Sequence, residues 1–229
     1  MKPIIDAIDC TVYIDSVVEL SPNVYQLNCS DTLWATLGFE IEIKTIKYFI
    51  ASVETNVSMT VTGDSIPERG YFSLYKPKFY HGTINATESD LNAPVNDNLL
   101  SSDKLPMIWL HEPIDEVISH QEEEAIEITS SCELYFMIDA NFAGWKNEDH
   151  FSQAVKPMVQ LWLSMYDAIK KSKSINEDII EPYKKVDLPR FGRYTGYDGK
   201  NKAVFSAYEF SGTSVKISLP FWRTNKNRC

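Results

Sequence analysis

Hydrophobic and polar residues alternate through the first third of the chain with the two-residue period of β-strands. Thr11 to Glu19 and Asn23 to Leu27 are β-branched and aromatic runs, parted by the turn signal Ser21-Pro22-Asn23. Phe39, Ile41 and Ile43 share one face of a strand whose other face holds Glu40 and Glu42. The pattern returns at Ile46, Tyr48 and Ile50 after Lys44-Thr45, which predicts a short-turn hairpin. Val57 to Val61 and Tyr71 to Tyr75 add two strands, joined across Gly63-Asp64 and Pro67 to Gly70. Strands at this spacing predict a β-rich, sandwich- or barrel-like region over residues 1–82.

Between Thr83 and Lys104 the periodicity fades and Asn, Asp, Ser and Pro dominate, so 83–104 is expected to be a long polar loop or linker. An α/β layer is expected over 105–222. Leu105 to Leu110 is continuously apolar, as in a strand buried on both faces. Pro113 with Asp115 and Glu116 predicts the start of a short helix, since proline and acids suit a first helical turn. Ala125 to Asp139 places Ile126, Ile128, Ser130, Cys132, Leu134, Phe136 and Ile138 on one face of a strand. After a turn from Ala140 to Glu148 the main helix is expected near 149–173, with the stripe Phe151, Val155, Met158, Leu161 or Trp162, Met165 and Ile169. Pro157 would cost about 3 kcal/mol inside a helix, so the helix is expected to stop at Lys156 and restart with Pro157 at its first position. Lys170, Lys171 and Lys173 suit its C-terminal end. Past the polar stretch Ser174 to Arg193, Ala203 to Phe210 and Val215 to Leu219 predict a hairpin about Ser211-Gly212-Thr213. Residues 223–229 form a basic tail, expected to fray. The fold class is α+β: an antiparallel β-rich N-terminal region, then a small sheet packed against one main helix. Trp109, Leu134, Phe136, Leu161, Trp162 and Met165 are expected to share one core.

Composition narrows the function. The chain has 229 residues with a formal net charge of −10, which disfavours tight binding to phosphate backbones. It carries 12 Tyr, 11 Phe and 5 Trp, a supply suited to sheets and large contact surfaces. Asp6 and Asp9 interrupt any signal-peptide core at the N-terminus, and no apolar run is long enough to cross a membrane as a helix. Cys10, Cys29, Cys132 and Cys229 are scattered, as expected of reduced thiols in a cytosolic setting. Triplets of glycosylation type begin at Asn28, Asn56 and Asn85, and are read as chance matches in polar turns.

Candidate chemistry is sparse. His111-Glu112-Pro113 lacks the second histidine of a zinc helix, and His111 and His120 lie nine apart with acids between. His81 and His150 stand alone. Asp115, Glu116, Glu122, Glu123 and Glu124 lack the spacing and glycine of a calcium loop and read as a solvated face. Lys184, Lys185, Arg190 and Arg193 with Tyr183, Phe191, Tyr194 and Tyr197 form a basic-aromatic cluster, read as an exposed loop. No phosphate-cradling glycine motif and no nucleophile elbow occurs. No catalytic, cofactor-binding or metal-ligating set is therefore assigned, and no cofactor is expected.

The layout LPMIWLHEP (Leu105 to Pro113), then ELYFMID (Glu133 to Asp139), then a segment from Trp145 to Met158 containing EDHFSQAVKPM resembles neck, head–tail connector and tail-completion proteins of tailed bacteriophages, most of all those of crAss-like phages. The resemblance spans roughly Leu105 to Lys173. It implies a non-enzymatic virion protein, assembled in the bacterial host cytoplasm as a six- or twelve-fold homo-oligomeric ring. Adjacent portal, neck or tail proteins are its implied partners, genome DNA passes through only as cargo, and no membrane is involved. On this reading Thr83 to Lys104 docks on a neighbour. The alternative is a β-rich binding or adhesion module with a small α/β domain, favoured if Trp and Tyr cluster exposed in the N-terminal strands. A hydrolase with an unrecognised acid pair ranks below both.

Overall fold

Two sheets and one principal helix account for the alternating and helical runs. A computed structural model describes residues 1–92, 105–121, 125–172, 175, 182–192 and 209–224. The first sheet holds β1 (Thr11–Ser21), β2 (Val24–Cys29), β3 (Glu40–Ile43), β4 (Ile46–Glu54), β5 (Ser58–Thr62) and β6 (Gly70–Ser73), in the order β3-β4-β5-β2-β1-β6. The second holds β7 (Lys78–Gly82), β8 (Met107–Gln121), β9 (Ala125–Asp139), β10 (Lys184–Gly192) and β11 (Glu209–Thr224), in the order β10-β11-β9-β8-β7. Only β7 and β8 pair in parallel there. The helices are α1 (Lys2–Asp6), α2 (Ile84–Asn92), α3 (Asn147–His150) and α4 (Lys156–Lys170). The hairpin turns fall where the sequence places them. Asn23 and Lys44 both adopt positive φ, at 64° and 61°, in the tight connections β1–β2 and β3–β4.

The α+β class holds, with one main helix. A single core runs from Val12, Leu27, Tyr48, Ile50 and Met59 of the first sheet, through Leu134, Phe136 and Val215 of the second, to Met158, Leu161, Trp162 and Met165 of α4. Phe136 is fully buried and meets Trp162 edge-on at 5.6 Å. Trp109 does not join them. It lies on the opposite face of β8, in a smaller cluster with Leu91, Leu105, Met107, Met137, Phe191 and Phe210. A strand buried on both faces carries no alternation that could assign its sides. β7 falls within the β-rich first third yet hydrogen-bonds in the second sheet.

Four local expectations need correction. Residues 84–92 of the supposed polar loop form α2, which turns Thr87 and Leu91 inward; 93–104 lie outside the described residues. No helix starts at Pro113. β8 continues through it, and a register shift between His111 and Asp115 absorbs the missing N–H. Nor does a turn occur at Ser211-Gly212-Thr213, which lie inside the unbroken 16-residue strand β11. The partner of β11 is instead β10, drawn from the stretch read as irregular. Gly212 serves close approach: a Cβ there would lie 1.9 Å from the Phe136 carbonyl oxygen. Finally, α4 begins at Lys156 with Pro157 in its first turn, and the break before it is a π-turn, Phe151–Val155. That wider turn accommodates the proline, and it leaves Phe151 exposed rather than in the stripe. Glu122 to Glu124, Ala203 to Tyr208 and the tail 225–229 lie outside the described residues.

Phe136→Ala should lower stability by about 3–5 kcal/mol, because the ring fills a closed core. Gly212→Ala should cost about 1–3 kcal/mol by forcing β9 and β11 apart. Urea denaturation monitored by tryptophan fluorescence measures both; a loss below about 1 kcal/mol for Phe136→Ala would contradict the packing.

Candidate functional site

β8, β9 and β11 run well past their neighbours. β7 pairs with β8 only from Met107 to His111, and β10 pairs with β11 only from Glu209 to Lys216. Beyond those points three strands continue together, in register from Asp115↔Ser131 to Gln121↔Ala125 on one side and from Ile217↔Cys132 to Thr224↔Ala125 on the other. They form an arm about 20 Å long from Asp115 to Gln121. At its β8 border Val117 is 69% exposed and Ile118 58%. Successive strand residues point to opposite faces, so the arm presents apolar side chains both ways.

The backbone groups on the borders can be assigned. Ala140 N–H donates to the Glu209 carbonyl at 2.8 Å, which fixes the phase of the β9–β11 ladder. Antiparallel residues direct N–H and C=O alternately to either side. Following the registers across, Asp115, Val117, Ser119 and Gln121 bond β9, while Glu116, Ile118 and His120 turn their backbone groups outward. On the far border of the sheet Lys184, Val186 and Leu188 bond β11, and Lys185 and Asp187 face outward. Among the described residues no strand pairs with either border there.

At the base of the arm lies a groove of about 330 Å³ lined by His111, Asp115, Ser131, Glu133, Lys184, Lys216 and Ser218. Register explains the cluster: His111, Glu133, Lys216 and Lys184 sit side by side across four strands on one face. Lys216 Nζ approaches Glu133 at 3.3 Å, and the Tyr135 hydroxyl donates to the other Glu133 oxygen at 3.1 Å. Burial, then the Glu133 charge, pushes the Tyr135 hydroxyl well above its ordinary value. Tyr135 also stacks on Trp109 at 4.7 Å, and His111 meets Trp109 edge-on at 4.9 Å. The groove is thus a polar floor whose carboxylate at Glu133 is matched by a lysine and a phenol, with no activated nucleophile.

The residues weighed from sequence disperse. His111 sits at the base of the arm and His120 near its tip, roughly 25–30 Å apart along an extended strand. His81 lies 3.7 Å from Glu112 at the surface. Asp115 and Glu116 are exposed on β8, while Glu122, Glu123 and Glu124 lie outside the described residues. Among the described residues no three His, Cys, Asp or Glu gather as a metal site would need. Lys184, Lys185, Arg190 and Phe191 share β10, but Tyr183 packs inward against Trp162 at 4.9 Å; Arg193, Tyr194 and Tyr197 lie outside the described residues. Cys10, Cys29 and Cys132 are free and buried, and burial pushes Cys29 and Cys132 up to about 11, so neither is a thiolate at neutral pH. Cys229 lies outside the described residues. On the outer face of the first sheet Tyr13 and Tyr71 meet at a 52° tilt with ring centroids 4.8 Å apart, 43% and 73% exposed. Trp34 is buried and donates to the Tyr75 carbonyl at 3.3 Å.

A serine–histidine contact exists but is structural. The Ser211 hydroxyl donates to the Pro189 carbonyl at 2.6 Å, so it accepts from His150 Nδ1–H at 2.8 Å. A serine whose proton is engaged elsewhere, beside a histidine that donates to it, is not activated for attack. Both residues are buried, and the pair ties α3 to β10 and β11. The arm is masked in the sequence because Pro113 reads locally as a helix start; its signal is the pair of equal 15-residue runs, Met107–Gln121 and Ala125–Asp139, that flank Glu122-Glu123-Glu124. No protein-family model, no curated protein and no solved structure matches this chain.

Burial first, and Arg190 next, lower the His150 pKa, against smaller opposing effects of Asp149 and Glu209. Below about pH 6.5 the unfolded chain binds a proton that the folded state refuses, so stability is full above that pH and falls as the pH drops. Urea midpoints from pH 7.5 to 5 should show this loss, and His150→Gln should flatten it; an unchanged profile would overturn the assignment.

Proposed function

We propose that the protein is a non-enzymatic structural component of a tailed-phage virion that assembles as a homo-oligomeric ring in the neck or tail. The observation that carries this reading is the arm, whose border has no partner strand among the described residues and exposes Val117 and Ile118. An exposed, apolar strand edge is a template for association and is covered in working proteins. Every copy bears one, and a head-to-tail contact repeated by rotation closes into a ring. The likeness of Leu105 to Lys173 to phage neck and connector proteins supplies the setting: a six- or twelve-fold ring between portal, neck and tail proteins, assembled in the host cytoplasm and carried in the virion. A net charge of −10 suits a conduit that genome DNA traverses without sticking. The segment Thr83 to Lys104, which begins with α2, is the further contact to a neighbour. A non-enzymatic role draws support from the groove, where Lys216 and Tyr135 engage the Glu133 carboxylate.

A second reading, a β-rich binding or adhesion module, draws support from the exposed Tyr13–Tyr71 pair beside the hydrogen-bonded ladder Gln26–Asn28–Ser16. The buried Trp34 counts against it.

Sedimentation and electron microscopy of the purified chain should reveal closed rings of six or twelve copies, and mass spectrometry should find the protein in purified particles. Deleting Asn92 to Ser102 should leave circular dichroism unchanged and abolish incorporation. A chain that stays monomeric at about 50 µM, well above the micromolar constants of ordinary interfaces, and is absent from particles would overturn the reading and favour the binding module.

A further inference from the structure

We infer that the interface between copies is a strand pairing: the outer border of β8 on the arm, Asp115–Gln121, adds antiparallel to the outer border of β10, Lys184–Asp187, of the next copy. This rests on the ring reading and goes beyond it by naming the two edges and their direction. β8, β9, β11 and β10 each run opposite to the next, so β10 runs opposite to β8. Rotation about a ring axis preserves each strand's sense along it. A β8–β10 junction therefore continues the alternation from copy to copy without a like-directed pair, and antiparallel pairing is the more stable kind.

The two borders also match chemically. In the antiparallel register that sets the outward backbone groups of Glu116 opposite those of Lys185, both without a described partner strand, Asp115 falls opposite Val186 and Val117 opposite Lys184. Glu116 then faces Lys185 directly and Asp115 lies diagonal to Lys184, all four exposed, although Lys185 also pairs with Asp187 on its own strand. Val117 lies diagonal to Val186, itself 42% exposed, on the same face. Strand addition of this kind draws affinity from main-chain bonds and register from side chains. The outer border of β11 fits less well. Pro220 falls on its outward side and offers no N–H, and Pro182 already lies beside Ser218 in the groove. A β8–β8 pairing centred on Ile118 would set Glu116 opposite His120, but it closes at two copies and makes no ring.

Two proline variants of the full chain test the pairing. Ile118→Pro and Lys185→Pro each remove an N–H that points away from the sheet, so neither breaks an internal rung. Each alone should remain folded by circular dichroism and monomeric by sedimentation. Mixed, they should form a one-to-one dimer and nothing larger, because each keeps the edge that the other lacks. Should proline disturb the fold, the double charge reversal Asp115→Lys with Glu116→Lys alters exposed side chains only; it should raise the concentration needed for assembly by about tenfold or more. Rings that persist in the proline variants or under charge reversal would refute the pairing and leave the ring reading standing. Self-dimers of Lys185→Pro alone would assign the contact to β8–β8. A parent chain that is monomeric would remove both.

Discussion

The β9 backbone ladder is the constraint on which the rest of the molecule depends. β9 is hydrogen-bonded to β11 along its whole length and to β8 along most of it. Both faces and the arm follow from that one strand. The closeness of the ladder is visible at Gly212, where the Phe136 carbonyl occupies the place a side chain would take. A sheet this tightly drawn fixes which residues are neighbours across four strands, and so fixes the groove.

The two faces of β9 have different tasks. Cys132, Leu134, Phe136 and Ile138 turn toward α4 and the first sheet and close the main core. Tyr135 and Met137 turn the other way, toward Trp109 and Phe191, and Glu133 on that same face joins the charged row. Apolar residues give way along this second face to Tyr135 and His111, then to Glu133, Lys216 and Lys184, and then to the arm. Where the flanking strands stop, the β8 border loses its cover at Val117 and Ile118, although Ser130 and Leu219 beside it are still buried. Backbone groups without a partner among the described residues, and apolar side chains, are then left at that border, where the proposed contact would form.

The His150–Ser211 contact shows how the same sheet holds the helical layer. Ser211 lies on β11, reaches the Pro189 carbonyl of β10, and accepts from a histidine at the end of α3. The π-turn that follows carries the chain into α4 past Pro157. The histidine is held neutral by burial, so the join between helix and sheet is strongest where the imidazole has no proton to gain.

The sequence by itself determined the strands of the first sheet, β9 to its end residues, and α4, because each has a one-sided period that only one secondary structure satisfies. It also determined the α+β class. It did not determine which side of β8 Trp109 takes, since a run buried on both faces has no period to read. Nor did it reveal that Pro113 lies within a strand, because a bulge relieves the missing N–H only when a partner strand is present to shift against. Ser211-Gly212-Thr213 reads locally as a turn, and only the approach of Phe136 gives the glycine its other purpose. The groove belongs wholly to tertiary structure, and so does the exposure of the arm, whose two equal strand runs are all that the sequence marks. His111, Glu133, Lys184 and Lys216 are distant in the chain and meet through register alone. The border of β8 is exposed because β7 ends at Gly82, and no single segment encodes where its neighbour stops.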